Sequence, residues 1–192
     1  MLILRKSGGF SLLELLISIA IFALLFIMGA PSFSQWIQNT QNRTAAESIL
    51  NGLQLARTEA VRHNAAVRFD LTEGTGAVSW VVACVTAADN CPGALYQRNA
   101  NDGSINARAG IATATGALGT ALSAGTGLPQ GVTFDGLGRV LTANIGTDIA
   151  RVDITNAARA DARRMTILIG AGGQFRMCDP SLNIASSPQG CQ

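Results

Sequence analysis

The chain has 192 residues, of which 48% are hydrophobic and 14% are charged, and its formal net charge is +2. This length suffices for one domain with a core plus an anchor. The weak charge does not by itself indicate a nucleic-acid partner, and the single histidine, His63, and the lack of a phosphate-binding loop argue against the common enzyme classes. We therefore expect neither an enzyme nor a protein with a cofactor or metal.

Residues 10–30 form an apolar run that contains a single charged residue. About twenty residues of helix can cross the ~30 Å hydrocarbon layer of a membrane. Arg5 and Lys6 precede this run, and the next basic residue is Arg43. The positive-inside rule therefore predicts a cytoplasmic N-terminus, with the bulk of the chain on the other side of the membrane.

A cleaved secretory signal is the first alternative for the same run. It would require small residues before a cut near Ala30, but Met28 is bulky and Pro31 follows directly. The pattern therefore favours an uncleaved membrane helix that Pro31 can bend.

The one charge in the apolar run, Glu14, requires a physical explanation. A carboxylate within a membrane costs a few kcal/mol and is usually paired. If the chain is cut between Gly9 and Phe10, Phe10 acquires a positive α-amine one helical turn from Glu14. An ion pair with that amine, in the same or a neighbouring subunit, would offset the cost.

The stretch "GGFSLLELLISIAIFALL" resembles the class III signal of type IV pilins and pseudopilins. The resemblance implies that a prepilin peptidase cuts after Gly9 and methylates Phe10. It also implies that Glu14 helps to insert the subunit into a filament of other pilin or pseudopilin subunits. Residues 1–9 would then be the leader peptide, and residues 10–30 the transmembrane and filament-core helix.

The segment "SFSQWIQNTQNRTAAESILNGLQLARTEAVRHN" predicts an amphipathic helix over residues 31–64, because apolar or small residues recur at helical spacing. This stripe should pack against a core. Its members are Phe33, Trp36, Ile37, Thr40, Thr44, Ile49, Leu53, Ala56 and Ala60.

Residues 65–192 have the character of a β-rich domain. Short β-branched or alternating runs, separated by Gly, Asn and Asp, predict strands within 65–71, 77–85, 131–141, 149–155 and 163–170. Residues 99–128 are rich in Ala, Gly, Thr and Ser and predict a long, flexible loop with at most one marginal strand. The predicted fold class is α+β, with the long N-terminal helix packed on an antiparallel sheet.

The four cysteines, Cys84, Cys91, Cys178 and Cys191, lack the spacing of zinc or redox motifs. An even number outside the cytoplasm predicts disulfides. Three pairings are possible, and proximity favours Cys84–Cys91 and Cys178–Cys191. Four free thiols in a cytosolic protein are the alternative.

The whole chain resembles the GspH/FimT family of minor pilins and pseudopilins. The resemblance rests on "LNGLQLARTEAVRHN", "SWVVACVTAADNC" and "RRMTILIGAGGQFRMCDPS". It implies a type IV pilin-like fold in a bacterial inner-membrane protein whose globular domain lies in the periplasm. The subunit would assemble at or near the tip of a type II secretion pseudopilus or a type IV pilus. A membrane-anchored protein that never assembles is a further alternative.

Some FimT-type pilins bind DNA through a C-terminal Gly-Arg-x-Arg motif, and the matching residues here are Gly173, Gln174, Phe175 and Arg176. Gln174 replaces the first arginine, so Arg163 and Arg164 would have to compensate for the missing charge. Double-stranded DNA is therefore an alternative partner. In the other interpretation the C-terminal arginines are ordinary surface charges that pair with Asp153, Asp161 and Asp179, and Phe175 belongs to the core.

Overall fold

The computed structural model describes residues 10–191, which divide into two compact units, one ending at Trp36 and one beginning at Ile37. A long helix, α1 (Leu12–His63), contributes to both units. Eight strands follow it: β1 (Val67–Leu71), β2 (Trp80–Cys84), β3 (Tyr96–Arg98), β4 (Ala107–Ala112), β5 (Gln130–Phe134), β6 (Arg151–Asn156), β7 (Met165–Ile169) and β8 (Phe175–Cys178). A 3-10 turn, Thr142–Asn144, lies between β5 and β6.

In the first unit, α1 contains Pro31 and presents apolar side chains to its surroundings. By length and composition, no single helix among the described residues could cross a membrane. One bent pair of helix segments could, and its members are Leu12–Ile27 and Ala30–His63.

In the second unit, one face of α1 is completely buried, which is the face that the 3-to-4 spacing predicts. Its fully buried apolar residues are Ala45, Ala46, Ile49, Leu53, Ala56 and Ala60. The predicted stripe is wrong at its start. Thr40 is exposed, and Phe33 and Trp36 are 62% and 61% exposed and belong to the first unit. Their rings stack on each other instead, with centroids 5.9 Å apart.

The helix ends in a Schellman motif at Asn64, the residue at which the sequence analysis ends it. Asn64 adopts a positive φ of 47°. Its N–H donates to Val61 O, and the next N–H, of Ala65, donates to Ala60 O. These two bonds satisfy carbonyls that the last turn would leave unpaired, and they turn the chain directly into β1.

The strands form two antiparallel sheets, with the orders β3-β2-β1-β5 and β4-β6-β7-β8. The predicted α+β class is confirmed, but the strands divide between two sheets instead of joining one. The helix packs closely on the first sheet because Gly52 has no side chain, and a Cβ at this position would lie 2.6 Å from the Phe69 ring. Beside it, Trp80 is buried and its Nε1–H donates to Ser48 Oγ at 2.9 Å.

Residues 99–128, predicted as a loop with at most one marginal strand, contain one strand. The segment contains β4, the edge strand of the second sheet, whose Ala107, Ala109 and Ile111 are buried. Small side chains give this strand a weak sequence signal, yet they let it pack tightly. A Cβ on Gly110 would lie 2.3 Å from Ser123 O, so the chain that follows folds directly over β4. Ala107–Ala112 is thus the one strand that the prediction allows in this segment, although it is well buried, and the remainder of the segment is irregular.

Candidate functional site

The start of α1 is a capped helix terminus. Ser11 Oγ accepts a hydrogen bond from the backbone N–H of Glu14 at 3.2 Å. Serine at this position with glutamate three residues later is the sequence pattern of a capping box. Glu14 thus occupies the first turn, where the helix dipole favours a negative charge. The Ser11–Glu14 spacing is a capping signal that is visible in the sequence, and it gives Glu14 a local role besides that of a partner for an amine.

Phe10, where the predicted cleavage would create a new N-terminus, is 83% exposed. Gly9, its predicted partner in the cleavage site, lies outside the described residues. The large apolar residues from Leu12 to Ile27 are between 52% and 77% exposed. An apolar surface of this extent is typical of a membrane-binding or protein-binding segment.

A second cluster of interest is the C-terminal segment, which is fastened to β8 by several bonds. Cys191 forms a disulfide with Cys178 at the end of β8. Asp179 N–H donates to Gln189 O, and Cys191 N–H donates to Asp179 O, so Gly190 lies beside Asp179 as in a parallel bridge. We call residues 179–191, held in this way, the C-terminal clamp.

Arg163 reinforces the C-terminal clamp. Its guanidinium contacts the buried carboxylate of Asp179 and donates to Gln189 Oε1 at 3.2 Å. Burial alone would raise the pKa of Asp179, but hydrogen bonds from Ser181 and Arg163 outweigh burial and hold that pKa below its usual range. The positive charge of Arg163 is therefore already matched by a carboxylate within the chain.

Arg164, its neighbour in sequence, bonds to β6 and to the loop after β4. Its side chain is only 16% exposed and donates to Asp153 Oδ2 at 3.2 Å and to Leu118 O at 2.5 Å. Asp153 also accepts hydrogen bonds from the buried Arg151 and from Thr166. Burial alone would raise the pKa of Asp153, but these hydrogen bonds and one from the N–H of Leu122 lower it below its usual range.

Arg176 lies on β8 and, like Gln174, is an exposed member of the predicted motif. Its Nη2 donates to Gly190 O, a contact to the C-terminal clamp, while the rest of the side chain is exposed. Gly173, which opens the motif, has a φ of 77° in the β7–β8 turn, and a Cβ there would lie 2.0 Å from Gly138 O. Backbone geometry alone therefore requires glycine at this position.

The three arginines predicted to contact DNA do not form one patch. Arg163 and Arg176 both reach the C-terminal clamp, through Gln189 and Gly190, whereas Arg164 reaches the loop after β4. The aspartate partners proposed in the alternative interpretation are present: Asp153 for Arg164, Asp179 for Arg163, and Asp161 for Arg159. Phe175 is half-buried and packs edge-on against Phe134 with ring centroids 5.6 Å apart.

The structure contains both disulfides that proximity favours, with Cys84 bonded to Cys91 and Cys178 bonded to Cys191. The first closes the turn that follows β2. His63 lies at the end of α1, with its Nε2 3.1 Å from Oε2 of the buried Glu59. Among residues 10–191, no three His, Cys, Asp or Glu side chains are grouped so that they could hold a metal.

Comparisons with solved structures identify the same architecture. The type IV minor pilin FimU of Pseudomonas aeruginosa aligns with a TM-score of 0.53 at 18% identity, over 82% of this chain and 99% of that chain. The minor pseudopilin EpsH from the type 2 secretion system of Vibrio cholerae aligns with a TM-score of 0.49 at 13% identity, over 74% of this chain and 99% of that chain. At these identities the likeness to FimU establishes the fold alone. No curated protein matches the chain significantly.

Two sequence families match the chain directly. Residues 4–30 match the prokaryotic N-terminal methylation motif, which includes the predicted cleavage site and Glu14. Residues 45–180, well over half of the chain, match the type II transport protein GspH. The match includes the buried part of α1 and all eight strands. The chain therefore belongs to the GspH family of pilin-like proteins and carries the N-terminal methylation motif of that class.

Proposed function

We propose that this protein is a minor subunit of a type II secretion pseudopilus or a type IV pilus and assembles at or near the tip. The proposal rests on one observation: the same chain contains an N-terminal methylation motif over residues 4–30 and a GspH-type globular unit. Structural subunits of this kind act by assembly, and the proposed role requires no catalysis.

The proposed processing and assembly steps involve the segments of the chain in order from the N-terminus. A prepilin peptidase removes the leader, residues 1–9, by cutting between Gly9 and Phe10 and methylates Phe10. Residues 10–30 hold the subunit in the inner membrane and later line the filament core, and residues 31–64 lead into the globular domain, residues 65–192, in the periplasm. The exposed apolar side chains of Leu12–Ile27 support the membrane step, and the two disulfides support an oxidising compartment.

Within this scheme Glu14 guides assembly. Removal of the leader places a positive amine at Phe10, and a carboxylate in the first turn of α1 can pair with the amine of an incoming or neighbouring subunit. The pairing is strongest in the apolar surroundings of the membrane, where water does not screen the charges.

The test is incorporation of Glu14→Gln into filaments, measured by immunoblotting sheared filaments against the membrane fraction. We expect cleavage and membrane retention to persist, while the incorporated fraction falls severalfold. Ser18→Ala is the matched control, because Ser18 lies one turn further along the same helix and donates only to Glu14 O. Equal incorporation of Glu14→Gln and the parent chain would refute the pairing role.

A second candidate function is capture of double-stranded DNA, supported by the exposed Arg176 beside the C-terminal clamp. Arg163 and Arg164 contribute little to it, since each is paired with a buried aspartate. Titration of the full chain in detergent with duplex DNA at two salt concentrations tests this function. Binding that weakens with salt and with Arg176→Gln, but not with Arg159→Gln, would support it, and no binding at low salt would eliminate it.

A further inference from the structure

The second sheet ends at β8 with an open edge. In the β7–β8 ladder, Leu168 pairs with Arg176 and Ile167 with Met177. Gly170 N–H donates to Gln174 O at the turn, which fixes the alternation of the ladder. Arg176 and Cys178 therefore bond to β7, while Phe175 and Met177 direct their N–H and C=O groups away from the sheet.

Within residues 10–191, nothing pairs with these outward groups of Phe175 and Met177. The next residue with the same orientation, Asp179, is already paired with the C-terminal clamp through Gln189 O and Cys191 N–H. The C-terminal clamp thus pairs with the outer edge of the sheet only at Asp179. The edge of β8 before Asp179 stays unpaired. Unpaired edge groups of this kind are a template for another strand.

A groove of about 810 Å³ runs between the start of β8 and the C-terminal part of α1. Its apolar surface includes Phe175 and the 52% exposed Val61, and its cations are Arg57 and Arg62. No carboxylate lines it. Among the described residues Arg57 has no hydrogen bond or ion pair, and Arg62 is 69% exposed, with its nearest carboxylate oxygen, Glu59 Oε1, 3.5 Å away.

We propose that an extended, acidic peptide segment of a partner protein docks in this groove as a fifth strand of the second sheet, beside β8. The backbone groups of Phe175 and Met177 would bond the segment, as in strand addition at other sheet edges. Arg57, Arg62, Phe175 and Val61 all line the same groove, so they would contact the one face of the segment that points toward α1, where the arginines would select carboxylates and Phe175 and Val61 would pack apolar side chains. DNA fits the cations but not the backbone groups, since it offers no matching row of N–H and C=O groups.

The experiment uses the full chain in nanodiscs and an eight-residue probe peptide whose odd positions are valine and aspartate in turn and whose even positions are threonine, so that both residue types point to one face. Two matched probes isolate the interactions: one has lysine in place of aspartate, and the other has N-methylated backbone at the valines. Binding is followed by peptide fluorescence anisotropy and by hydrogen exchange of the Phe175 and Met177 amides. The site does not involve the N-terminal helix segment, and the assay needs no assembled filament, so its outcome is independent of the proposed assembly role.

Two variants dissect the groove. Met177→Pro removes an outward N–H and no hydrogen bond to β7, because Met177 does not donate to that strand, and it also removes a side chain that packs against the core. The double variant Arg57→Gln/Arg62→Gln removes the cations, and Arg43→Gln, on the same helix but paired with Glu47, is its control. We expect only the aspartate peptide, of the three probes, to bind. Its binding should slow the hydrogen exchange of the Phe175 and Met177 amides. Its affinity should fall about tenfold in the double variant but not in Arg43→Gln.

Equal binding of the aspartate and lysine peptides, or unchanged affinity in the double variant, would overturn the proposal. Failure of the aspartate peptide to bind, with duplex DNA binding in a manner that depends on Arg57 and Arg62, would identify a polyanion site instead and would equally overturn it. If Met177→Pro does not fold, the amide exchange and the N-methylated peptide decide whether the backbone edge is used.

Discussion

Asp153 is a fully buried carboxylate that accepts hydrogen bonds from Arg151, Arg164, Thr166 and the N–H of Leu122. Such a group stabilises the fold only while its partners are present, because a buried charge without a partner is costly. Loss of the carboxylate would leave Arg151, itself 3% exposed, without its counter-ion.

We therefore expect Asp153→Asn to lower the free energy of unfolding by about 3 kcal/mol. Asp161→Asn should leave it unchanged, since the Arg159–Asp161 pair is exposed. Urea unfolding of the full chain in detergent, followed by Trp80 fluorescence in a Trp36→Phe background, measures both. Equal stability of Asp153→Asn and Asp161→Asn would contradict the role assigned to the buried cluster.

At the scale of elements, the β7–β8 hairpin is a three-residue turn whose last residue, Gly173, adopts a left-handed conformation. Gly170 N–H donates to Gln174 O, and Gly173 N–H donates to Gly170 O, which is the pattern of a type I turn followed by a bulge. The turn also packs on the turn after β5, where Gly138 O would contact any added Cβ. The hairpin thus fixes both the β8 edge and its distance from α1.

Gly173→Ala should destabilise the second unit by about 2 kcal/mol, through both the positive φ and the clash with Gly138 O. Gly119→Ala is the control, because its φ is not positive and nothing lies within 4 Å of an added Cβ. The same unfolding assay compares them. A Gly173→Ala protein as stable as Gly119→Ala would show that the turn relaxes without loss.

At the scale of the whole molecule, two buried carboxylates link the stability of the fold to pH. The pKa values of Asp153 and Asp179 are lower in the folded chain than in the unfolded chain, where an aspartate titrates near about 3.9. The unfolded chain therefore binds protons more readily, so stability is fully present above that pH and is lost as pH falls through the folded values.

We expect the midpoint of thermal unfolding to be level from pH 7 to about pH 5 and to fall steeply below about pH 4. Asp153→Asn should show a shallower fall than the parent chain, because one of the linked carboxylates is absent. Calorimetry of both proteins over this range provides the measurement. Parallel profiles would mean that other groups dominate the acid response.

The fold could be predicted wherever local chemistry is repetitive. The buried positions Ile49, Leu53, Ala56 and Ala60 follow helical spacing. The alternating β1 and the β-branched β2 and β7 also stand out in the sequence. The three-residue β3 and the Ala-rich β4 do not, because β3 is too short to show an alternating pattern and the small side chains of β4 give little strand signal.

The hydrogen-bond partners of the C-terminal arginines could not be predicted from the sequence. Counting charges identifies Arg163, Arg164 and Arg176 as a basic cluster, but the direction of each side chain depends on acceptors contributed by distant segments. Leu118 O, for example, lies 46 positions before Arg164 in the chain, and it is a backbone atom that every residue possesses. No side-chain pattern could identify such a partner.

The loop after β4 has one further consequence, which concerns how this surface can change in evolution. Arg151 and Arg164 bind it through the carbonyl oxygens of Thr115, Ala117, Leu118 and Thr120. Two arginines outside the loop thus hold it through main-chain atoms, so the side chains of Thr115, Ala117, Leu118 and Thr120 are free to vary, whereas Gly125 and Gly127 are restricted to glycine by a positive φ and close neighbours. Substitutions at these four positions can therefore change the chemistry of this face while the backbone keeps its shape. A library of variants at these positions would measure how much change the loop tolerates.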